Sequence, residues 1–147
     1  MIRRANAGDE ENIRHCAEQA YARYVAVIGR KPAPMVADFK AQIEAGDVHV
    51  AVDGDAFQGF IVFFVKENHI LLENVAVLPS AAGRGVGKSL IGFCEDAARR
   101  GGFEAVRLYT NEKMTENLSL YPRLGYTEVA RGTENGFKRV FFEKKLS

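Results

Sequence analysis

A glycine-rich segment in the middle of the chain has the composition of a phosphate-binding loop. It reads AVLPSAAGRGVGKSL over residues 76–90, and Gly85 and Gly87 permit tight turns in which several N–H groups converge on one anion. A helix is predicted to begin there, and the positive end of its dipole attracts negative charge. Arg84 and Lys88 add two cationic side chains. The segment therefore predicts a site for a pyrophosphate, with a glycine turn that holds no ligand as the alternative.

Two common nucleotide-binding motifs do not match this segment. A Walker A motif requires glycine five positions before its Gly-Lys-Ser, where this chain has Ala82. The strand that follows ends in Asn111 rather than in an aspartate that would help to hold magnesium. A Rossmann loop, G-x-G-x-x-G, requires glycine where Lys88 stands. Both motifs are therefore disfavoured.

Length and composition predict one globular domain over residues 1–147. The chain is 47% hydrophobic and 27% charged, which is ordinary for a protein with one apolar core. A net charge of +1 predicts no general attraction to nucleic acid or to an anionic membrane, and no apolar stretch is long enough to span a bilayer. Cys16 and Cys94 lack metal-ligand spacing and fall in helical patterns, which predicts buried free thiols, a cytoplasmic location and no metal site.

Helical and strand patterns alternate around the glycine segment. A strand at 2–4, a helix at 9–24 with Asp9 as its N-cap, and a helix at 36–45 that ends at Gly46 come first. Three strands follow, VHVAV, FQGFIVFFV and HILLENVAVL, whose short turns at 53–55 and 66–68 predict an antiparallel meander.

The second half of the chain continues the alternation. An amphipathic helix follows the glycine segment and ends at residues 101–102, and the strand EAVRLYT comes after it. A short helix at 118–121 precedes a closing pair of strands, GYTEVAR and RVFFEKK. The predicted fold class is α/β, a mixed sheet with packed helices, in the order β-α-α-β-β-β-α-β-α-β-β.

Two segments resemble the GNAT superfamily of N-acetyltransferases. ENVAVLPSAAGRGVGKSLI is similar to the family's central strand, Q/R-x-x-G-x-G/A turn and helix, and MTENLSLYPRLGYTEV is similar to its later N-x-x-x-Y-x-x-x-G-[FY] segment. The chain departs from the first motif at Ala82, where the family usually has Gln or Arg, so one side-chain contact to phosphate is missing. The resemblance covers nearly the whole chain in the order of its elements.

The resemblance implies that the glycine segment binds the pyrophosphate of acetyl-CoA. Backbone groups of the strand before it would pair with the pantetheine arm, and a polar side chain of the later segment would contact the same arm. The implied cofactor-binding residues are Val75, Ala76, Val77, Gly83, Arg84, Gly85, Val86, Gly87, Lys88, Ser89, Asn117 and Tyr121.

The resemblance also implies two catalytic roles. An amine must lose its proton before it attacks a thioester, and Glu73, in the strand just before the turn, is the candidate general base. A glutamate that faces solvent or pairs with a lysine is the alternative. Tyr121 matches the family tyrosine that donates a proton or hydrogen bond to the departing sulfur, with a packed aromatic as the alternative. His15, His49 and His69 show no pairing with a nucleophile, and His49 is predicted on the surface of the sheet.

By family position, the first two helices and their loop should hold the amine acceptor. Tyr21, Tyr24, Arg30 and Met35 are the candidate residues, and core packing is the alternative for each. They could suit a small acceptor that carries a carboxylate, while a peptide N-terminus, a protein lysine or an aminoglycoside stays open.

The predicted function is an acetyl-CoA-dependent transfer of acetyl to the primary amine of a small molecule or peptide, with no metal. The alternatives are an acetyl-CoA-binding module without turnover and a small P-loop nucleotide hydrolase. A homodimer is left open.

Overall fold

The computed structural model describes residues 1–146, which form seven β-strands and four α-helices. The strands are β1 (Ile2–Arg4), β2 (Val48–Asp53), β3 (Ala56–Lys66), β4 (His69–Val77), β5 (Ala105–Asn111), β6 (Thr127–Glu134) and β7 (Phe137–Lys145). The helices are α1 (Glu10–Ile28), α2 (Phe39–Glu44), α3 (Val86–Arg100) and α4 (Thr115–Arg123). None of these helices has both the length and the apolar character needed to cross a membrane.

All seven strands belong to one mixed sheet, in the order β1-β2-β3-β4-β5-β7-β6. Neighbouring strands are antiparallel except for β4 and β5, which run parallel and are connected through α3. β2, β3 and β4 form the predicted meander, and β6 and β7 form the predicted closing pair. The predicted fold class and element order are confirmed.

The parallel pair is joined over only three residues of each strand. Residues 70–72 of β4 pair with residues 106–108 of β5, and within residues 1–146 the pairing goes no further. Beyond that point β4 remains paired with β3 as far as Val77, and β5 remains paired with β7 as far as Asn111. The sheet therefore opens between the carboxyl ends of β4 and β5.

A β-bulge in β4 lies where this opening begins. Leu72 pairs with Phe63 of β3 and Asn74 pairs with Val62, so Glu73 is the extra residue between them. A bulge bends its strand and redirects side chains, and bulges are frequent beside active sites. The bend accounts for the separation of β4 from β5 immediately after Leu72.

Each face of the sheet has its own cluster of buried apolar side chains. α3 covers one face, and α1 and α2 cover the other. Cys94 belongs to the first cluster and Cys16 to the second, and both are free thiols, as predicted. Burial raises the pKa of each thiol to about 12, so neither is a thiolate at neutral pH.

The first helix differs from its prediction at both ends. It extends past Tyr24 to Ile28, because Gly29 adopts the left-handed conformation (φ +91°) that ends a helix there. Asp9 occupies the N-cap position, but its side chain makes no capping hydrogen bond. Its carboxylate instead accepts from Arg3 at 2.8 and 3.0 Å, which lowers the pKa of the Asp9 carboxyl.

The second and fourth helices also have different bounds. The second begins at Phe39 rather than at residue 36, because the Asp38 carboxylate caps it by accepting from the Ala41 N–H at 3.1 Å. The fourth covers residues 115–123 rather than 118–121. Polar residues occupy its first turn, so apolar periodicity alone does not reveal it.

The prediction that His49 lies on the surface of the sheet is wrong. Its ring stacks on Phe63, with ring centres 5.4 Å apart, and contacts Phe93 of α3 at 4.8 Å. Burial and the nearby Arg4 charge lower the pKa of the imidazole. The strand alternation was interpreted correctly, but α3 covers the face on which His49 lies.

Candidate active site

Two cavities meet end to end in the opening between β4 and β5. The larger, here called the groove, has a volume of about 590 Å³ and is lined by β4, α1, α4 and the start of α3. The smaller, here called the pocket, has a volume of about 40 Å³ and is lined by β4, β5, the start of β7 and the loop at 32–34. Tyr21, Val75, Asn117 and Tyr121 line both cavities. The two cavities therefore adjoin in the split sheet, and together they are here called the passage.

The first turn of α3 forms one end of the groove. Gly83 and Gly85 both have left-handed backbone angles (φ +79° and +77°), which side chains disfavour, and Gly85 is the N-cap of the helix. The first N–H groups of a helix have no partner within it, so they remain free to bind an anion. Arg84 and Lys88 are exposed beside them. This end of the groove therefore suits a phosphate group.

The predicted cofactor-binding residues divide between the groove and its mouth. Seven of them line the groove, namely Val75, Ala76, Val77, Gly87, Lys88, Asn117 and Tyr121. Gly83, Arg84, Gly85 and Ser89 are exposed at the helix start, outside the groove lining. The Val86 side chain is buried in the core, so only its backbone faces the turn.

Beyond Leu72, the edge of β4 that points away from β3 has no partner strand in residues 1–146. The Val75 carbonyl lies 3.0 Å from the Tyr21 hydroxyl of α1, which places its peptide groups on the side of β4 away from β3. Leu78, three residues on, instead donates its N–H to the Gln58 carbonyl of β3 at 2.8 Å. Since strand residues alternate in direction, Val75 and Val77 both face the opening, where an extended ligand could pair with them.

Tyr121 of α4 lies where the two cavities meet. Its ring packs against Tyr126 and Phe142, with centres 5.8 Å away in each case, and only 5% of the residue is exposed. Within residues 1–146 its hydroxyl makes no hydrogen bond. Burial raises the pKa of this phenol to about 12, so it stays protonated at neutral pH. A fixed, protonated hydroxyl at this junction can donate to a group in either cavity.

Glu73 lies in the wall of the pocket and is half-buried. Its Oε1 accepts a hydrogen bond from the Tyr109 hydroxyl of β5 at 2.8 Å, across the opening of the sheet. Within residues 1–146 no lysine pairs with this carboxylate, so the alternative of a lysine pair does not hold. A carboxylate held by one donor retains acceptor sites for a proton.

A buried hydrogen-bond chain supports the bulged strand. The Tyr21 hydroxyl lies 2.7 Å from Oδ1 of Asn74, and the Asn74 amide donates to the Pro34 carbonyl at 3.0 Å. The chain ties α1 and the loop at 32–34 to the residue after Glu73. Asn74 was not among the predicted site residues, although it also lines the pocket.

The four predicted acceptor residues do not form one cluster. Tyr21 lines both cavities, and Tyr24 lines the groove. Met35 is buried in the core under α1. Arg30 lies outside both cavities, where it donates to the Asn135 carbonyl at 2.6 Å and stacks on the Phe137 ring at 3.6 Å.

Tyr109, Phe137 and Arg139 are among the pocket residues that the sequence analysis did not single out. Tyr109 lies on the strand parallel to β4, so its place beside Glu73 follows from sheet order. Phe137 and Arg139 alternate at the start of β7, two residues apart, and therefore point to the same face. The alternation can be predicted from the sequence. The pairing of β7 with β5, which brings both residues to the pocket, cannot.

Comparisons with known proteins agree with this geometry. A crystal structure of a putative GNAT acetyltransferase from Desulfovibrio desulfuricans has a TM-score of 0.79 at 18% identity and covers 99% of this chain and 98% of its own. PaiA N-acetyltransferase from Thermoplasma acidophilum, in complex with coenzyme A, has a TM-score of 0.77 at 18% identity with the same coverage. YncA, a putative acetyltransferase from Salmonella typhimurium with acetyl-CoA, has a TM-score of 0.73 at 20% identity, covering 100% of this chain and 94% of its own.

At these identities the likeness shows a shared fold. No curated protein matches the chain. The model of the acetyltransferase (GNAT) family, however, matches residues 13–126, which include the bulged strand, the glycine turn, α3 and Tyr121. The chain belongs to the GNAT family of acetyltransferases.

Proposed function

We propose that the protein is an acetyl-CoA-dependent N-acetyltransferase that acts on the primary amine of a small molecule or peptide. The observation that carries this proposal is the passage in the split sheet. A phosphate-binding helix start lies at one end of the passage, a carboxylate lies at the other, and Tyr121 lies between them.

The groove fits the shape and chemistry of acetyl-CoA. The turn at 83–87 and the start of α3 would hold the pyrophosphate, with Arg84 and Lys88 as counter-charges that offset the missing side chain at Ala82. The free edge of β4 at Val75 and Val77 would pair with the amides of the pantetheine arm. The bound coenzyme A and acetyl-CoA in the PaiA and YncA structures support the choice of ligand.

Glu73 would act as the general base. In this reaction the amine nitrogen forms a C–N bond to the thioester carbon and gives up a proton, while the C–S bond breaks and sulfur leaves with the electron pair. Glu73 would take the amine proton, directly or through a water molecule. Its position in the pocket wall, with one hydrogen bond from Tyr109, supports that role.

Tyr121 would supply the proton or hydrogen bond to the departing sulfur. Its hydroxyl has no partner within residues 1–146, and its ring is locked by aromatic neighbours, so it needs little reorganisation to serve the thiolate. The amine and the coenzyme would enter from opposite ends of the passage, which allows direct transfer without an acyl-enzyme.

The acceptor would approach through the pocket. Proteins that share this fold have different partners. One is a ribosomal-protein-S18-alanine N-acetyltransferase from Escherichia coli, at 17% identity, and another is a NatC complex bound to a Gag peptide, at 16% identity. The pocket of this chain is small, which supports an amine of low steric demand at the reacting end.

A panel of amines, assayed for release of free coenzyme A thiol, tests the proposal. We expect thiol release that depends on both amine and acetyl-CoA, with the acetylated amine detected by mass spectrometry. The matched control is Gly85→Val, which should lose turnover because a β-branched residue cannot adopt the turn without strain. If acetyl-CoA stabilises the fold but no amine releases thiol, the protein is a binding module; stabilisation by ATP alone would contradict the proposal.

A further inference from the structure

The pocket contains two opposite charges that are not paired with each other. Glu73 accepts from the Tyr109 hydroxyl at 2.8 Å, and the Arg139 guanidinium carbon lies 4.2 Å above the centre of the same tyrosine ring. Within residues 1–146 no ion pair joins Glu73 to Arg139. Tyr109 therefore holds a carboxylate at its hydroxyl end and a guanidinium over its face.

Arg139 is buried with most of its hydrogen-bonding capacity unused. The residue is 8% exposed, and its one ion pair runs from Nη1 to Oε2 of Glu134, 3.0 Å away. In residues 1–146 its other N–H groups have no hydrogen-bond partner, and the nitrogens are not fully shielded from solvent. A guanidinium has five donors, and burying them unpaired costs free energy. The free donors therefore face the pocket that Arg139 lines.

The guanidinium is also held in place before any ligand arrives. Tyr109 supports it from one side, and Phe137, two residues away on β7, lies beside it. Phe137 is in turn covered by Arg30, whose guanidinium is 3.6 Å from the ring centre and bonds the Asn135 carbonyl. These contacts limit the rotamers of Arg139 and reduce the entropy lost when it binds an anion.

We propose that the acceptor is an amine that also carries a carboxylate, with its amine at Glu73 and its carboxylate on Arg139. The proposal rests on the acetyltransferase function proposed above and names its substrate class, that of amino acids. The planar guanidinium fork binds a carboxylate through two parallel hydrogen bonds, which a neutral amide cannot reproduce. A pocket with one carboxylate and one guanidinium that keeps unused donors is complementary to a zwitterion.

Specificity for the carboxylate is measured by comparing free amino acids with their α-amides as acceptors. We expect kcat/KM to favour the acids by about tenfold to a hundredfold, the range given by hydrogen bonds to charged groups. The amine of an α-amide is less basic than that of the acid, so a larger fraction of it is unprotonated and able to react. Basicity alone therefore favours the amides, and a preference for acids has to overcome this difference. Peptide amides that begin with Asp or Asn test whether a side-chain carboxylate can serve instead.

Arg139→Gln should abolish the preference for acids over amides, and Arg139→Lys should restore part of it. The matched control is Arg131→Gln, which removes the same charge from the neighbouring strand, where Arg131 is exposed and paired with Glu128. That control should keep the wild-type preference. If Arg139→Gln does not fold, the wild-type ratio and Arg139→Lys decide the question.

The outcomes separate this inference from the proposed function. Turnover of amides as fast as of acids by the wild-type protein would overturn the inference and leave the acetyltransferase function standing. A preference that survives in folded Arg139→Gln would also overturn it. Failure of all amines, acids and amides alike, to release thiol would refute both proposals.

Discussion

Tyr121→Phe tests the chemistry at the junction of the two cavities most directly. The change keeps the ring that packs against Tyr126 and Phe142 and removes only the hydroxyl. Because that hydroxyl has no partner within residues 1–146, its loss breaks no hydrogen bond of the folded protein. We therefore expect the free energy of unfolding to change by less than about 0.5 kcal/mol.

The expected loss of turnover follows from the bond that the hydroxyl would make. A hydrogen bond to a charged group contributes about 1.5–3 kcal/mol, and the leaving thiolate is such a group. With about 1.4 kcal/mol for each factor of ten, kcat should fall by about tenfold to 150-fold. The affinity for acetyl-CoA should change little, because the bond to sulfur strengthens only as charge develops.

The pH dependence adds a second expectation. Burial raises the pKa of Tyr121 to about 12, so the phenol stays protonated over the range in which amines are assayed. Ionisation of this phenol should therefore cause no fall in wild-type kcat on the alkaline side below about pH 11. A tyrosine that acted as a base would instead require ionisation, and activity would rise toward that pKa.

The assay is pre-steady-state thiol release with saturating acetyl-CoA, which isolates the chemical step. Tyr126→Phe is the matched control, since it removes a hydroxyl from the neighbouring ring. That hydroxyl donates to Glu95 at 2.8 Å in the core, so the control should lower stability by about 1–3 kcal/mol while kcat stays near wild type. A Tyr121→Phe rate within twofold of wild type, or an equal loss in Tyr126→Phe, would refute the role assigned to Tyr121.

Three further changes test other parts of the site and fold. Glu73→Gln should lower kcat by about a hundredfold to ten-thousandfold; a mutant within threefold of wild type from about pH 6 to 9 would leave positioning of the amine as the main catalytic effect. Gly85→Val should abolish the stabilisation by acetyl-CoA, which for wild type is about 2.7 kcal/mol at a hundred times the dissociation constant, and the melting temperature with and without ligand measures it. The lowered pKa of Asp9, caused first by its hydrogen bond from Arg3, contributes stability above the unfolded pKa that is lost as pH falls below about 4. Unfolding curves of Asp9→Asn should show a smaller loss on acidification, and an unchanged acid dependence would contradict this.

The glycine turn and the residues proposed to bind the coenzyme stand out in the sequence for one physical reason. A phosphate is bound largely by backbone N–H groups of a turn and a helix start, so the binding residues are contiguous and their glycines are visible in the sequence. The turn at 83–87 and the free edge at Val75 and Val77 lie close to their predicted positions. The meander could be predicted because its turns are short enough to fix antiparallel pairing.

The acceptor half could not be predicted in the same way. Its residues come from the loop at 32–34, from β4, from β5 and from the start of β7, so they are neighbours only in the folded sheet. Arg30 and Met35 have suitable side chains and lie in a suitable segment, but one contacts the β6–β7 turn and the other fills the core. Types of residue in a segment do not give the direction of their side chains.

The bulge at Glu73 connects the two halves physically. An unbulged β4 would continue its pairing with β5, and the passage would be filled by strand hydrogen bonds. With the extra residue, the strand bends, Glu73 turns into the pocket beside Tyr109, and the next residues leave their peptide groups free for an extended ligand. The proposed base and the proposed coenzyme-binding edge thus both depend on one distortion of one strand. The guanidinium of Arg139 lies on a different strand, so if it selects the acceptor as proposed, we expect substitutions on β7 to change which amine is accepted without disturbing the opening itself.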